Sequence, residues 1–195
     1  MHLYTTEDAL QALELFTPIA YGSRLQLDDG VSLTFQDAGH ILGSSFIDLR
    51  LPIDGEERRL LFSGDLGRPN QPILRDPHTV FGADYLIVES TYGDRLHGNE
   101  DPKEVMARII NESIRRGGVL LIPSFAVGRT QELLYTIREL EEANRIPHLP
   151  IYMDSPLAIK ATKIFSKNKQ DFDLKSKTLE LKLSLIHISE PTRPY

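Results

Sequence analysis

The stretch YLIVESTYGDRLH, Tyr85–His97, sets four apolar or aromatic residues in an unbroken run, follows them with an acid, Glu89, and turns at Tyr92-Gly93. A short continuous apolar run bounded by turn residues is the pattern of a strand buried in an α/β sheet. The periodicity differs on its two sides, so the run marks a junction between two kinds of architecture.

Upstream, residues 5–17 read as a helix: Thr5 with Asp8 makes a capping box, Ala9, Leu10, Leu13 and Phe16 share a face, and Pro18 follows the end. The period then drops to two. Leu25 and Leu27, the turn Asp28-Asp29-Gly30, and Val31, Leu33 and Phe35 form a hairpin signature. A second follows, with Ile47, Leu49, Leu51 and Ile53 alternating, a turn at Asp54-Gly55, and a return through Arg59-Leu60-Leu61-Phe62. Downstream, strand and helix alternate. Asp101 caps a helix with Pro102 first and Glu104 third, which carries Val105, Ile109 and Ile114 inward and stops at Gly117-Gly118. Val119–Ile122 reads as a buried strand, Gly128–Arg145 as a helix with Leu133, Leu134, Ile137 and Leu140 on one face, and Ile151–Met153 as a third strand. Ser155-Pro156 caps a last helix. Beyond Asp173 the pattern fails, and LSLIHISEPTRPY resembles a translated sequencing-adapter read, so residues 174–195 read as a non-native tail.

The chain has 195 residues, 41% hydrophobic and 26% charged, enough to bury a real core. It has no cysteine, so any transition metal would be held by His, Asp or Glu. No apolar run has the length of a membrane span, and HLYTTEDAL after Met1 is not a signal peptide, which makes the cytoplasm the default location. A formal net charge of −6 argues against loose charge-driven binding to nucleic acid. It remains compatible with an enzyme whose metals supply local positive charge.

The candidate chemistry lies at strand ends. His40 in DAGHILGSS, Asp65 in FSGDLG and Glu89 in VEST each follow a strand-like run. Imidazole nitrogen and carboxylate oxygen suit zinc or manganese, and glycines beside His40 and Asp65 would let backbone approach an ion. Each residue also has a plainer reading: His40 as a polar turn residue, Asp65 as a turn residue bonding its own backbone, Glu89 as a cap or ion-pair partner. His2, His78, His148 and His187 lack partner motifs and read as solvated or structural. Arg129, at a helix start after glycine, is either a phosphate contact or a surface ion-pair partner.

The blocks DAGHILGSS, LLFSGDLGR, YLIVESTYGDRLH, GGVLLIPSFAVGRTQELL and PIYMDSPLA together resemble, in order and approximate spacing from Leu3 to Phe165, the β-CASP branch of metallo-β-lactamase-fold nucleases. The resemblance implies an α/β fold: residues 1–92 as the C-terminal portion of an αββα metallo-β-lactamase-like sandwich, and 93–173 as the start of a Rossmann-like β-CASP lobe. It implies that His40 is a zinc ligand, that Asp65 bridges two zinc ions, and that Glu89 is an acidic residue which orients a distal catalytic histidine. His97 matches a recurrent family position. The implied activity is hydrolysis of RNA phosphodiester bonds by a two-metal mechanism, with single-stranded RNA as substrate, no membrane partner and the possibility of a homo-oligomer. A non-catalytic β-CASP scaffold subunit and a DNA nuclease of the same superfamily are the alternatives. The family's H-x-H-x-D-H motif and its later histidines have no counterpart here, so the chain reads as an internal piece with an incomplete zinc site.

Overall fold

The computed structural model describes residues 3–96, 98 and 100–173. His97, His2, His187 and the whole of 174–195 therefore lie outside the described residues. Five strands make one sheet in chain order: β1 (Arg24–Gln26), β2 (Ser32–Asp37), β3 (Ser45–Ile53), β4 (Glu56–Phe62) and β5 (Tyr85–Ile87). The first four are antiparallel neighbours, and β5 joins β4 in parallel. Hence β2, β4 and β5 run in one direction and end at one edge of the sheet. The β3–β4 hairpin turns on Asp54 and Gly55, both at positive φ (52° and 81°), the conformation an Asp-Gly loop favours.

The alternation places Leu33, Phe35, Ile47, Leu49, Leu60 and Phe62 on one face of the sheet. Burial nevertheless goes deeper on the opposite face, where Ser32 is fully buried and Asp48 is 6% exposed. The cause is polar. Arg59 holds Asp48 with two bonds, Nε to Oδ1 at 2.9 Å and Nη2 to Oδ2 at 2.7 Å, and its Nη1 donates to the carbonyls of Phe81 and Gly82. Bidentate pairing of this kind fixes geometry as well as charge, and here it draws the incoming segment of β5 across that face.

Helix α1 (Thr6–Glu14) forms behind its Thr5–Asp8 capping box, yet none of its residues is buried. Strand β5 also forms, but Tyr85, Leu86 and Ile87 are each more than half exposed, against the expectation of a buried run. Two expected strands are absent from the sheet: 119–122 and 151–153 carry no ladder pairing, and Val119 and Leu121 face solvent. An apolar run becomes a strand only where another backbone takes its N–H and C=O groups, and among the described residues none does so there.

The remaining helices are α2 (Pro102–Arg115), α3 (Arg129–Glu142) and α4 (Pro156–Lys167). Asp101 caps α2 by accepting from the Lys103 amide at 2.9 Å. The inward face of α2 is Ala107 and Ile110, which pack with Ile137, Leu140 and Ile146; Ile109 and Ile114 stay exposed. Leu134 of α3 packs on Met153 and Ala158. A further cluster ties the helices to the β4–β5 crossover: Ile73, Leu74, Tyr135, Phe165 and Phe172, with Leu42 against it. There Leu74 bridges Phe172, and the Asp173 amide donates to the Ile73 carbonyl at 2.9 Å.

Candidate metal centre

His40 sits in the loop between β2 and β3, which its own short side chains hold closed. Ser44 Oγ accepts from the amides of His40 and Ile41 at 3.0 and 3.2 Å, and Asp37 Oδ1 accepts from the Gly39 amide at 2.9 Å. Tyr21 donates its hydroxyl to the Ser44 carbonyl at 2.8 Å. Burial, with the nearby charges of Asp37 and Asp171, pushes the Tyr21 phenol up to about 12, so it stays a neutral donor.

Asp65 sits in the loop after β4, and glycine brings the two loops together. The Gly67 amide donates to the Ala38 carbonyl at 2.9 Å, and a Cβ on Gly67 would stand 1.9 Å from the Gly39 carbonyl oxygen. Gly39 itself, at φ 62°, has the Arg75 carbonyl and the Pro77 nitrogen each 2.8 Å from its own would-be Cβ. Three backbone segments thus stack with no room for side chains. The glycines serve loop-on-loop contact; the space at Gly67 is filled by protein backbone rather than left open to an ion. The result is that His40 Nε2 lies 4.0 Å from Asp65 Oδ2, with both side chains open to solvent, 43% and 82% exposed.

Glu89 reaches the same edge through Ser63. The Ser63 amide continues the parallel ladder by donating to the Ile87 carbonyl at 2.9 Å, and Ser63 Oγ accepts from the Glu89 amide at 3.0 Å. The Glu89 carboxylate accepts from the Thr91 amide at 2.8 Å. That bond, the Thr91 hydroxyl, the Leu66 amide and the charge of His40 hold its carboxyl below the usual range. His40, Asp65 and Glu89 therefore gather at the common edge where β2, β4 and β5 end. Ser44, Ser63 and the Gly39–Gly67 contact were not singled out from the sequence. The one signal available was the recurrence of Gly and Ser around His40 and Asp65.

An imidazole and a carboxylate 4.0 Å apart can share one zinc ion, whose ligands sit at about 2.0–2.2 Å. No third His, Cys, Asp or Glu completes a metal-holding group among the described residues. These donors are chemically right for zinc but, among the described residues, too few to hold it. Arg129 opens α3 and pairs with Glu132 at 2.8 Å, the surface ion-pair reading. His148 pairs with Glu141 at 3.2 Å, and the His78 amide donates to the Asp37 carbonyl at 2.9 Å.

Strand-end imidazole and carboxylate groups at one edge of a mixed sheet define an α/β protein with a ligand-type pair where such sheets build sites. A Beta-Casp domain model matches residues 130–193. Ribonuclease TTHA0252 of Thermus thermophilus is 39% identical over 163 residues, 83% of this chain and 36% of that protein. Transcription termination factor FttA of Lokiarchaeum is 32% identical over 183 residues, 90% of this chain and 28% of that protein. Endoribonuclease YSH1 of Eremothecium gossypii is 31% identical over 170 residues, 84% of this chain and 21% of that protein. The chain belongs to the β-CASP family, and it spans about a third or less of the length of these relatives. No described helix is long and apolar enough to cross a membrane.

Proposed function

We propose that this chain is part of a zinc-dependent ribonuclease that hydrolyses RNA phosphodiester bonds, with His40 and Asp65 contributing to a two-metal site and Glu89 beside them. The observation that carries this is the 4.0 Å approach of His40 Nε2 to Asp65 Oδ2 at the edge where three strands end. Zinc would supply Lewis acidity and a nucleophilic hydroxide when bound. Within the chain, Asp65 presents a carboxylate to solvent, His40 an imidazole on a loop clamped at both ends, and Glu89 a carboxylate kept ionised by the Thr91 amide. Single-stranded RNA as substrate and a cytoplasmic location belong to the same reading, and the ribonuclease and endoribonuclease among the relatives support RNA as the substrate.

The scaffold alternative has one observation in its favour, the lack of a third metal donor among the described residues. The test is RNA cleavage by the whole protein carrying this segment. The variants His40→Ala and Asp65→Ala should each lose about 100-fold or more of the activity while binding RNA as before. Wild-type cleavage rates in both would sink the reading, and faster cleavage of matched single-stranded DNA would move it to the DNA nuclease alternative.

A further inference from the structure

We propose that the outer face of α4 is a phosphate-binding surface for single-stranded RNA, formed by Lys160, Lys163 and Lys167. The proposal rests on the ribonuclease reading above and adds to it a contact surface outside the His40–Asp65 site. The three lysines fall at positions i, i+3 and i+7 of α4, so they share one helix face, and all three are exposed. At 1.5 Å per residue the stripe runs about 10.5 Å, long enough to meet at least two successive phosphates of a strand.

What singles it out is its lack of compensation. Between residues 24 and 145 the described Arg and Lys side chains, apart from Arg68, Arg75 and Arg115, lie within ion-pair distance of a carboxylate. Helix α4, PLAIKATKIFSK, contains no acidic residue, and none of its three lysines has an ion-pair partner among the described residues. A chain of net charge −6 thus gathers on one helix three cations without an ion-pair partner among the described residues. The ordinary reading is a solvated face, with Lys167 favoured by the helix dipole in the last turn. The dipole accounts for one of the three.

The face is also rigidly mounted and tied to the candidate site. Ala158, Ala161, Thr162 and Phe165 bury the opposite side of α4. Thr162 Oγ1 accepts from buried Gln131 at 2.9 Å, and Phe165 joins the cluster against which Leu42, two residues from His40, is packed. The stripe is therefore held in a fixed relation to the His40 loop. Charge complementarity selects a polyanion as occupant, and under the ribonuclease reading that polyanion is the RNA.

The test uses the full chain and a labelled single-stranded RNA, with binding followed by fluorescence anisotropy across a salt series. Lys160→Gln/Lys163→Gln/Lys167→Gln removes the charge while keeping good helix formers at exposed positions, and circular dichroism checks the fold. Three lost phosphate contacts should make the slope of log K against log salt shallower by about 2. A slope equal to wild type overturns the proposal and leaves the ribonuclease reading standing, since cleavage by the His40 and Asp65 variants is scored separately. Wild-type protein that binds phosphatidylserine vesicles but not the RNA, with vesicle binding lost in the triple variant, overturns the proposal in favour of a membrane surface.

Discussion

The α-carbon of Gly67 faces the carbonyl of Gly39 so closely that a methyl group there would stand 1.9 Å from the oxygen. Nothing larger than hydrogen fits. The contact presses the loop after β4 onto the loop after β2 and sets the 4.0 Å separation of His40 and Asp65.

Gly67→Ala is therefore expected to force the two loops apart. The overpacking should cost about 2 kcal/mol or more in urea unfolding. The His40 imidazole resonances should shift as Asp65 withdraws. Unchanged stability with unchanged His40 resonances would show that the loops are not held by this contact.

The Asp48–Arg59 pair carries a second expectation. Arg59's hydrogen bonds come first among the causes that hold the Asp48 carboxyl below its ordinary range, followed by the charges of Arg59, Arg50 and Arg24. A carboxyl lowered in the folded state adds stability above its unfolded value of about 3.9 and loses it as pH falls through the folded value. Asp48→Asn should lower stability at neutral pH by about 3 kcal/mol, because Arg59 is left half-buried without its partner. Its unfolding midpoint should also fall less steeply than wild type below about pH 4. Parallel acid curves for the two proteins would refute this.

Tyr21 titrates in the opposite sense. Its phenol is pushed up to about 12, so the neutral form is favoured by folding. That stabilisation is complete below the unfolded value of about 10 and disappears as pH rises from there through the folded value. Tyr21→Phe, which loses the bond to the Ser44 carbonyl, should cost about 1 kcal/mol near neutrality and remove a late step from the ultraviolet phenolate titration. A titration of the same shape in both proteins would count against the assignment.

Metal content gives the fourth expectation. With two donors at the site, the purified chain should hold no stoichiometric zinc. Elemental analysis that found two tightly held zincs per chain would overturn this and require ligands outside the described residues.

Much of the frame is legible in the chain itself. The Thr5–Asp8 and Asp101 caps, the Asp54-Gly55 turn and the β2–β3–β4 alternation are local matters of hydrogen bonding and backbone sterics, and each formed where the residues indicated. Glu89, Asp65 and His40 could be named because they follow strand-like runs. The runs 119–122 and 151–153 misled, because apolar composition describes what a segment would bury and not which backbone pairs with it. The inward face of α2 was likewise displaced to Ala107 and Ile110, chosen by where α3 lies.

Residue order alone settles that His40 and Asp65 each follow a strand-like run. It does not settle their separation. Only the folded chain decides that, through the parallel docking of β5, the Ser63 link to Glu89 and the backbone stack of Gly39 on Gly67. These are contacts between segments distant in the chain, which local propensity cannot encode and which close packing alone selects.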